Sequence, residues 1–394
     1  MARFGGLPRG GVNRQALSAE EGRARRQLAA WAAEQGFTVA TDAVANLFIR
    51  REGSDPTLPP VLAGSHIDSQ PTGGRFDGVY GVLAAFEVLQ ALNEAGVVTR
   101  RAVEAVAWTN EEGSRFQPGC LGSGAFAGRI PPGPALEAVD RDGIRAADAL
   151  EAMLAAEPDF ARRPIGFPVH AYLEAHIEQG PLLEQAGVPI GVVTGVQGSR
   201  WFAIEVTGEE AHAGTTPVRL RKDALVSAVA MVEALRQIMV DPEDLVRFTV
   251  GRFEVHPGAP NTVPGRVFFT IDFRHPDGHT LKRLGDQVEA VVRAHAGSCA
   301  VRIEETFTSQ PCVFDAGAVA AVRDAVAGLG LPSLTLASGA NHDARFLAEV
   351  CPAAMIFVPC ERGISHNEAE NAAPGDLAAG ARVLAEAVVA LANS

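Results

Sequence analysis

The chain has 394 residues, with 34 Lys and Arg against 47 Asp and Glu, a net charge of -13 before any histidine is counted. So acidic a chain, with no run of Lys or Arg, is a poor match for nucleic acid or an anionic membrane, because phosphate binding needs clustered positive charge. At 47% hydrophobic and 21% charged the composition is that of a globular protein, and the length exceeds what one core usually organises, so two domains are expected.

In chain order, Ser18 caps a helix running through Leu28 and Trp31 to Gly36, with Glu20 and Glu21 in the first turn where the helix dipole favours them. Pro60 to Ala63 is a short apolar run ending in Gly64-Ser65-His66, and Tyr80 to Ala95 has helical periodicity, so strand, Gly-rich loop and helix follow one another. Ala102 to Trp108 is a second apolar strand, ending in Thr109-Asn110-Glu111-Glu112. Both strands deliver polar clusters at their C-terminal ends, where open α/β sheets place their sites.

The pattern changes near Gly198. Phe202, Ile204 and Val206 alternate against Glu205 and Thr207, a half-buried strand, and Leu225, Ala228, Val229, Val232, Leu235 and Met239 then form a helical stripe. Strands over Phe248–Val255 and Arg266–Arg274, a helix from Leu281 to Ala296 and a strand from Cys299 to Phe307 complete a β-α-β-β-α-β order. That order is read as a two-layer α+β domain, residues 199–312, inserted into a larger α/β domain made of residues 1–198 and 313–394. The larger domain resumes with helices near Ala316–Ala327 and Leu377–Leu391 around a buried strand, Ala353–Val358.

The densest polar cluster is Gly64-Ser65-His66-Ile67-Asp68-Ser69 with Gly73-Gly74-Arg75-Phe76-Asp77-Gly78. In an extended segment residues i and i+2 share a face, so Asp68 is placed to accept the other ring N–H of His66 and orient it as a metal ligand, and Asp77 can bring a second carboxylate to the same ion. Glu111 and Glu112 point in opposed directions, so one can bind metal while the other serves as general base. His176, His212 and His366 join His66, Asp77 and Glu112 as imidazole and carboxylate ligands for two borderline cations, zinc, manganese, cobalt or nickel. The alternative for each residue taken singly is a capping carboxylate, a solvated glutamate or a satisfied structural histidine. The five cysteines, Cys120, Cys299, Cys312, Cys351 and Cys360, are scattered and contain no CxxC, which points to reduced thiols in the cytoplasm rather than to a thiolate metal site. The longest uncharged run, Ala325 to His342, is interrupted by Pro332 and glycines and is a poor membrane span.

The segments Gly64 to Gly78, Thr109 to Gly113, Tyr172 to Gly180, Ala211 to Pro217, Asn261 to Gly265, Ser338 to Ala344 and Gly363 to Asn367 resemble, in order, the motifs of the amidase, hydantoinase/carbamoylase family of binuclear-metal hydrolases. That family lies in the aminoacylase and carboxypeptidase clan and includes N-carbamoyl-L-amino acid hydrolases, allantoate amidohydrolases and β-ureidopropionases. The resemblance implies an α/β/α metal-binding catalytic domain on a mixed sheet and an inserted, ferredoxin-like lid and dimerisation domain. It implies that His66, Asp77 and His176 hold one divalent ion, that Asp77, Glu112 and His366 hold the other, that Asp68 orients His66, and that Glu111 is the general acid/base. His212 would polarise the scissile carbonyl of the partner subunit's site in a homodimer, and Asn261 and Arg274, with Gln179, would hold the substrate carboxylate. Arg274 lies on the polar face of its strand, opposite Phe273, where it can bind substrate or form an ordinary ion pair.

The expected activity is hydrolysis of the ureido C–N bond of an N-carbamoyl-L-amino acid to amino acid, CO2 and ammonia. Alternatives are allantoate or β-ureidopropionate hydrolysis at the same site and, more remotely, a dipeptidase, an aminoacylase or an inactive amino-acid-binding protein. Ala175, Val218 and Asn341 depart from the family's usual Leu, Met and Gly, and none of the three removes a ligand.

Overall fold

The computed structural model describes residues 1–394, which divide into two compact units, Met1–Gly195 with Val313–Ser394, and Val196–Cys312. The first unit is built on a ten-stranded mixed sheet. Its centre is four parallel strands in the order Ala353–Val358, Ala171–Ile177, Val61–His66 and Val103–Trp108. Every residue of these four strands is buried, as expected of parallel strands covered on both faces. Antiparallel strands extend the sheet, Ile190–Val196 beyond Ala353–Val358 on one side, and Leu47–Arg51 then Thr38–Thr41 beyond Val103–Trp108 on the other.

Helix Pro374–Ala392 packs against helices Val79–Glu94 and Ala316–Gly328, and Val79–Glu94 lies on strand Val61–His66. The expected Ser18 cap is present: its hydroxyl accepts from the Glu21 amide and starts helix Ala19–Glu34. Because the four central strands are parallel, their C-terminal ends share one edge of the sheet, and this fixes where the polar clusters gather.

The second unit is a four-stranded antiparallel sheet in the order Arg247–His256, Arg266–His275, Gly198–Thr207 and Ala300–Ser309, with helices Ala224–Ile238 and Gly278–Ala294 packed on it. Phe202, Ile204, Val206, Val267, Phe269, Ile271 and Phe273 form the inner face of its core. The helical stripe expected here is rotated. Ala228, Leu235 and Met239 are buried, but Met231 and Ala224 complete the face, while Val229 is 55% exposed. Strand Arg247–His256 lies at the sheet edge, its pairing interrupted by a bulge between Val250 and Arg252.

Candidate metal centre

His66 ends strand Val61–His66 and His176 lies one residue before the end of Ala171–Ile177, so two neighbouring parallel strands present imidazoles at the same edge. Each ring is fixed by a main-chain carbonyl: His66 Nδ1 lies 3.0 Å from Asp68 O, and His176 Nδ1 lies 2.8 Å from Ile177 O. With Nδ1 donating, Nε2 of both rings faces Asp77, at 3.9 Å from His66 and 3.2 Å from His176 to Asp77 Oδ1. The ring nitrogen of His66 faces two groups of Asp68, the carbonyl at 3.0 Å and the carboxylate Oδ1 at 3.6 Å, so the carbonyl is the nearer acceptor. The Asp68 carboxylate also accepts the amide of Glu111 on Oδ1 and that of Glu112 on Oδ2, each at 3.2 Å, and so braces the end of the neighbouring strand.

Gly78 explains the close approach of the loop. Its φ is +64°, and a Cβ there would stand 2.3 Å from His66 Nε2. On the other side of Asp77, His366 Nε2 is 3.4 Å from Asp77 Oδ2 and 3.5 Å from Glu112 Oε2. Glu370 ties this loop to Asp77. Its Oε1 accepts the amides of Phe76 and Asp77, and its Oε2 accepts the Ser365 hydroxyl. Gln179 donates to Asp77 Oδ2 at 3.1 Å.

The donors therefore form two triads, His66–Asp77–His176 and Asp77–Glu112–His366, in each of which one ligand atom per residue lies within 4.8 Å of the others. Asp77 belongs to both, one carboxylate oxygen towards each. In tetrahedral zinc, bonds of about 2.0–2.1 Å set neighbouring donors roughly 3.3 Å apart, so the 3.2–3.9 Å separations suit borderline divalent cations. Electrostatics agree. Burial, then the charge of Asp77, pushes Glu112 up to about 8. Burial pushes Glu111 well above the usual carboxylate range, with His66 opposing and Asp343 and Glu112 adding to the rise. Only Asp77, against its burial, is held low, by the adjacent His176 and then by the charges of His66 and His366. A cluster of buried carboxylates that resists ionising together is one that divalent cations would relieve.

A third triad, Glu174–His176–His342, lies behind the first. Both Glu174 oxygens are already engaged, Oε1 by Ser65 and Oε2 by Tyr172 and the Ala344 amide, so this group is scaffold.

Residues 62–390 match the model of peptidase family M20/M25/M40. The chain belongs to this family. It is 39% identical to an N-carbamoyl-L-amino-acid amidohydrolase of Rhizobium meliloti, over 99% of this chain and 93% of that one. It is 41% identical to an N-carbamoyl-L-amino acid amidohydrolase of Geobacillus stearothermophilus, over 100% and 96%. Its fold superimposes with a TM-score of 0.95 on a crystal structure of an amidase of the hydantoinase/carbamoylase family from Burkholderia multivorans, at 45% identity and covering 100% and 95% of the two chains.

Within this family frame the second unit holds the other expected residues. His212 and Asn261 are adjacent: His212 pairs with Thr262, and the Ala213 amide donates to Asn261 O at 2.9 Å. His212 Nδ1 accepts the Gly214 amide at 3.1 Å, which leaves Nε2 as the donor of the neutral ring. Arg274 is half-buried and ion-paired with Asp272 at 2.8 Å. Glu174, Ser365, Glu370 and Cys120 were not expected at the centre. Glu174 shares a strand face with His176 two residues on, a signal available in the sequence, whereas Glu370 lies in a loop with no periodicity to mark it.

Proposed function

We propose that the chain hydrolyses the ureido C–N bond of an N-carbamoyl-L-amino acid, giving the amino acid, CO2 and ammonia. The observation that carries this reading is Glu111, a carboxylate outside both ligand triads with Oε2 only 3.6 Å from His66 Nε2. The identity of the relatives over nearly the whole chain supports the substrate class. His66, Asp77 and His176 would hold one divalent ion and Asp77, Glu112 and His366 the other, from among zinc, manganese, cobalt and nickel. Such ions, when bound, acidify water and polarise a carbonyl.

Glu111 takes the proton of the attacking water at Oε2 and returns it to the leaving nitrogen. Its place at the buried edge of the site, pushed above the ordinary carboxylate range by burial, suits a group that must both accept and give a proton. Asp68 holds the main chain of Glu111 and Glu112 through two amides and so fixes base and ligand together. We assign Arg274, Asn261 and Gln179 to the substrate carboxylate and the Nε2–H of His212 to the carbonyl oxygen as charge develops there.

We further propose a homodimer formed through the second unit. Its edge strand and the exposed Val226 and Val229 of its first helix support this. A reduced, cytoplasmic setting is consistent with five free cysteines, three of them buried. No helix is long and apolar enough to cross a membrane.

The test is release of ammonia from N-carbamoyl-L-methionine, N-carbamoyl-β-alanine and allantoate by protein loaded with Mn or Co. Release from the first substrate in preference to the others is expected. Silence on all three with metal bound would overturn the proposal.

A further inference from the structure

The turn that follows strand Val103–Trp108 doubles back on itself, and Cys120 meets Glu111 twice. The Cys120 amide donates to Glu111 O at 2.8 Å, and its thiol donates to Glu111 Oε1 at 3.3 Å. On its far side the sulfur accepts the side-chain amide of Asn341 at 3.1 Å. Cys120 is 1% exposed and sits at φ 52°, a backbone conformation that a residue with a Cβ adopts only at some cost. Burial, with the neighbouring carboxylates, pushes the thiol well above its usual range, so it stands as S–H, a weak donor that also accepts.

The two oxygens of Glu111 thus have different surroundings. Oε1 is taken by Cys120, while Oε2 faces His66. We propose that Cys120 is a positioning residue for Glu111: its thiol fixes the carboxylate rotation so that Oε2 is presented to the reacting water, and Asn341 holds the thiol in turn. This rests on Glu111 being the base. It extends that reading by giving two residues outside the ligand set a share in the rate. The departure at Asn341 acquires a role in the same relay, since a glycine there would supply no amide to the sulfur.

The test compares C120A, C120S and N341A with the parent in steady-state kinetics and metal content. A hydrogen bond to a charged group suggests a fall in kcat of about tenfold for C120A, with KM and bound metal unchanged. C120S, which keeps a donor, should return to within about threefold of the parent, and N341A should lose about threefold. Thermal melts of the metal-free C120A, E111Q and double variants give a readout apart from activity, in which the two substitutions should be non-additive.

Unchanged kcat in C120A overturns the proposal. So does equal impairment of the Ala and Ser variants with metal bound, which would mean that the sulfur only fills space. If neither Cys120 variant folds, unchanged kcat in N341A overturns it. Failure of the underlying reading looks different: E111Q itself would then remain active, whatever Cys120 does.

Discussion

At Gly78 the backbone closes on the candidate metal ligand His66, and Gly78→Ala should be disproportionately damaging. A Cβ there would lie 2.3 Å from His66 Nε2 and Cε1, so the ring must retreat by about 1.1 Å to reach the 3.4 Å at which ordinary contact begins. The ring has little freedom to do so, because Nδ1 is held by Asp68 O and the side chain is 2% exposed. The backbone at φ +64° and ψ -53° is a tight turn closed by the Val79 amide on Asp77 O, strained by about 1–3 kcal/mol for any residue with a Cβ, and overpacking typically adds about 1–3 kcal/mol more. A displaced ligand nitrogen should weaken the His66–Asp77–His176 ion by about 10- to 100-fold, and a shift of about 1 Å in a catalytic array can cost roughly 100-fold in rate.

The assay is metal content after dialysis against graded free metal, with kcat and urea unfolding on the same preparation. Gly187→Ala is the control for a positive φ without a clash: Gly187 lies in the left-handed helical region at φ +66° and ψ 32°, and an alanine methyl there would meet nothing within 4 Å, so it should cost about 1–2 kcal/mol without loss of metal or rate. Parent metal affinity and a kcat within twofold in G78A would refute the steric argument.

Three further outcomes are expected. Replacing His366 by Ala should lose one ion and keep the other, whereas Asp77→Ala, which removes the shared carboxylate, should lose both; metal counting on the purified variants checks this. Arg25 and Glu157 form a bidentate ion pair at 2.7 and 2.8 Å with both side chains essentially fully buried, so Arg25→Met should cost about 3–5 kcal/mol in urea unfolding and the double change R25M/E157M markedly less. Burial, then the charge of Asp68, pushes the Glu21 carboxyl up to about 7 from an ordinary 4.5. Its raised value means that its contribution is fully present below pH 4.5 and is lost as pH rises through 7, so metal-free protein should lose about 3 kcal/mol relative to E21Q over that window, and parallel pH profiles for the two would contradict it.

The second unit was legible because its strands are half-exposed. Val267, Phe269, Ile271 and Phe273 fall on alternate positions, and the structure buries all four while leaving the residues between them partly exposed. The centre of the first unit was harder to read. Strand Ala171–Ile177, which carries His176, is buried on both faces and contains Glu174 and His176, so it offers neither alternation nor a plain apolar run. The candidate ligand residues stand out by type and clustering, and the ends of parallel strands explain why they converge. What holds them could not be read. That the Asp68 carbonyl is the nearest partner of the His66 ring N–H, and that Glu370 ties the His366 loop to Asp77, depend on how loops turn back and side chains meet, which periodicity does not encode.

The most direct measurement is Glu111→Gln in protein loaded with metal, following ammonia and free amino acid from N-carbamoyl-L-methionine with metal counted in the same sample. The parent should release the two products one to one, and E111Q should keep both ions while losing turnover by at least about 1,000-fold. An E111Q enzyme that binds both ions and still turns over at a rate near the parent's would contradict the assignment of Glu111 as the base.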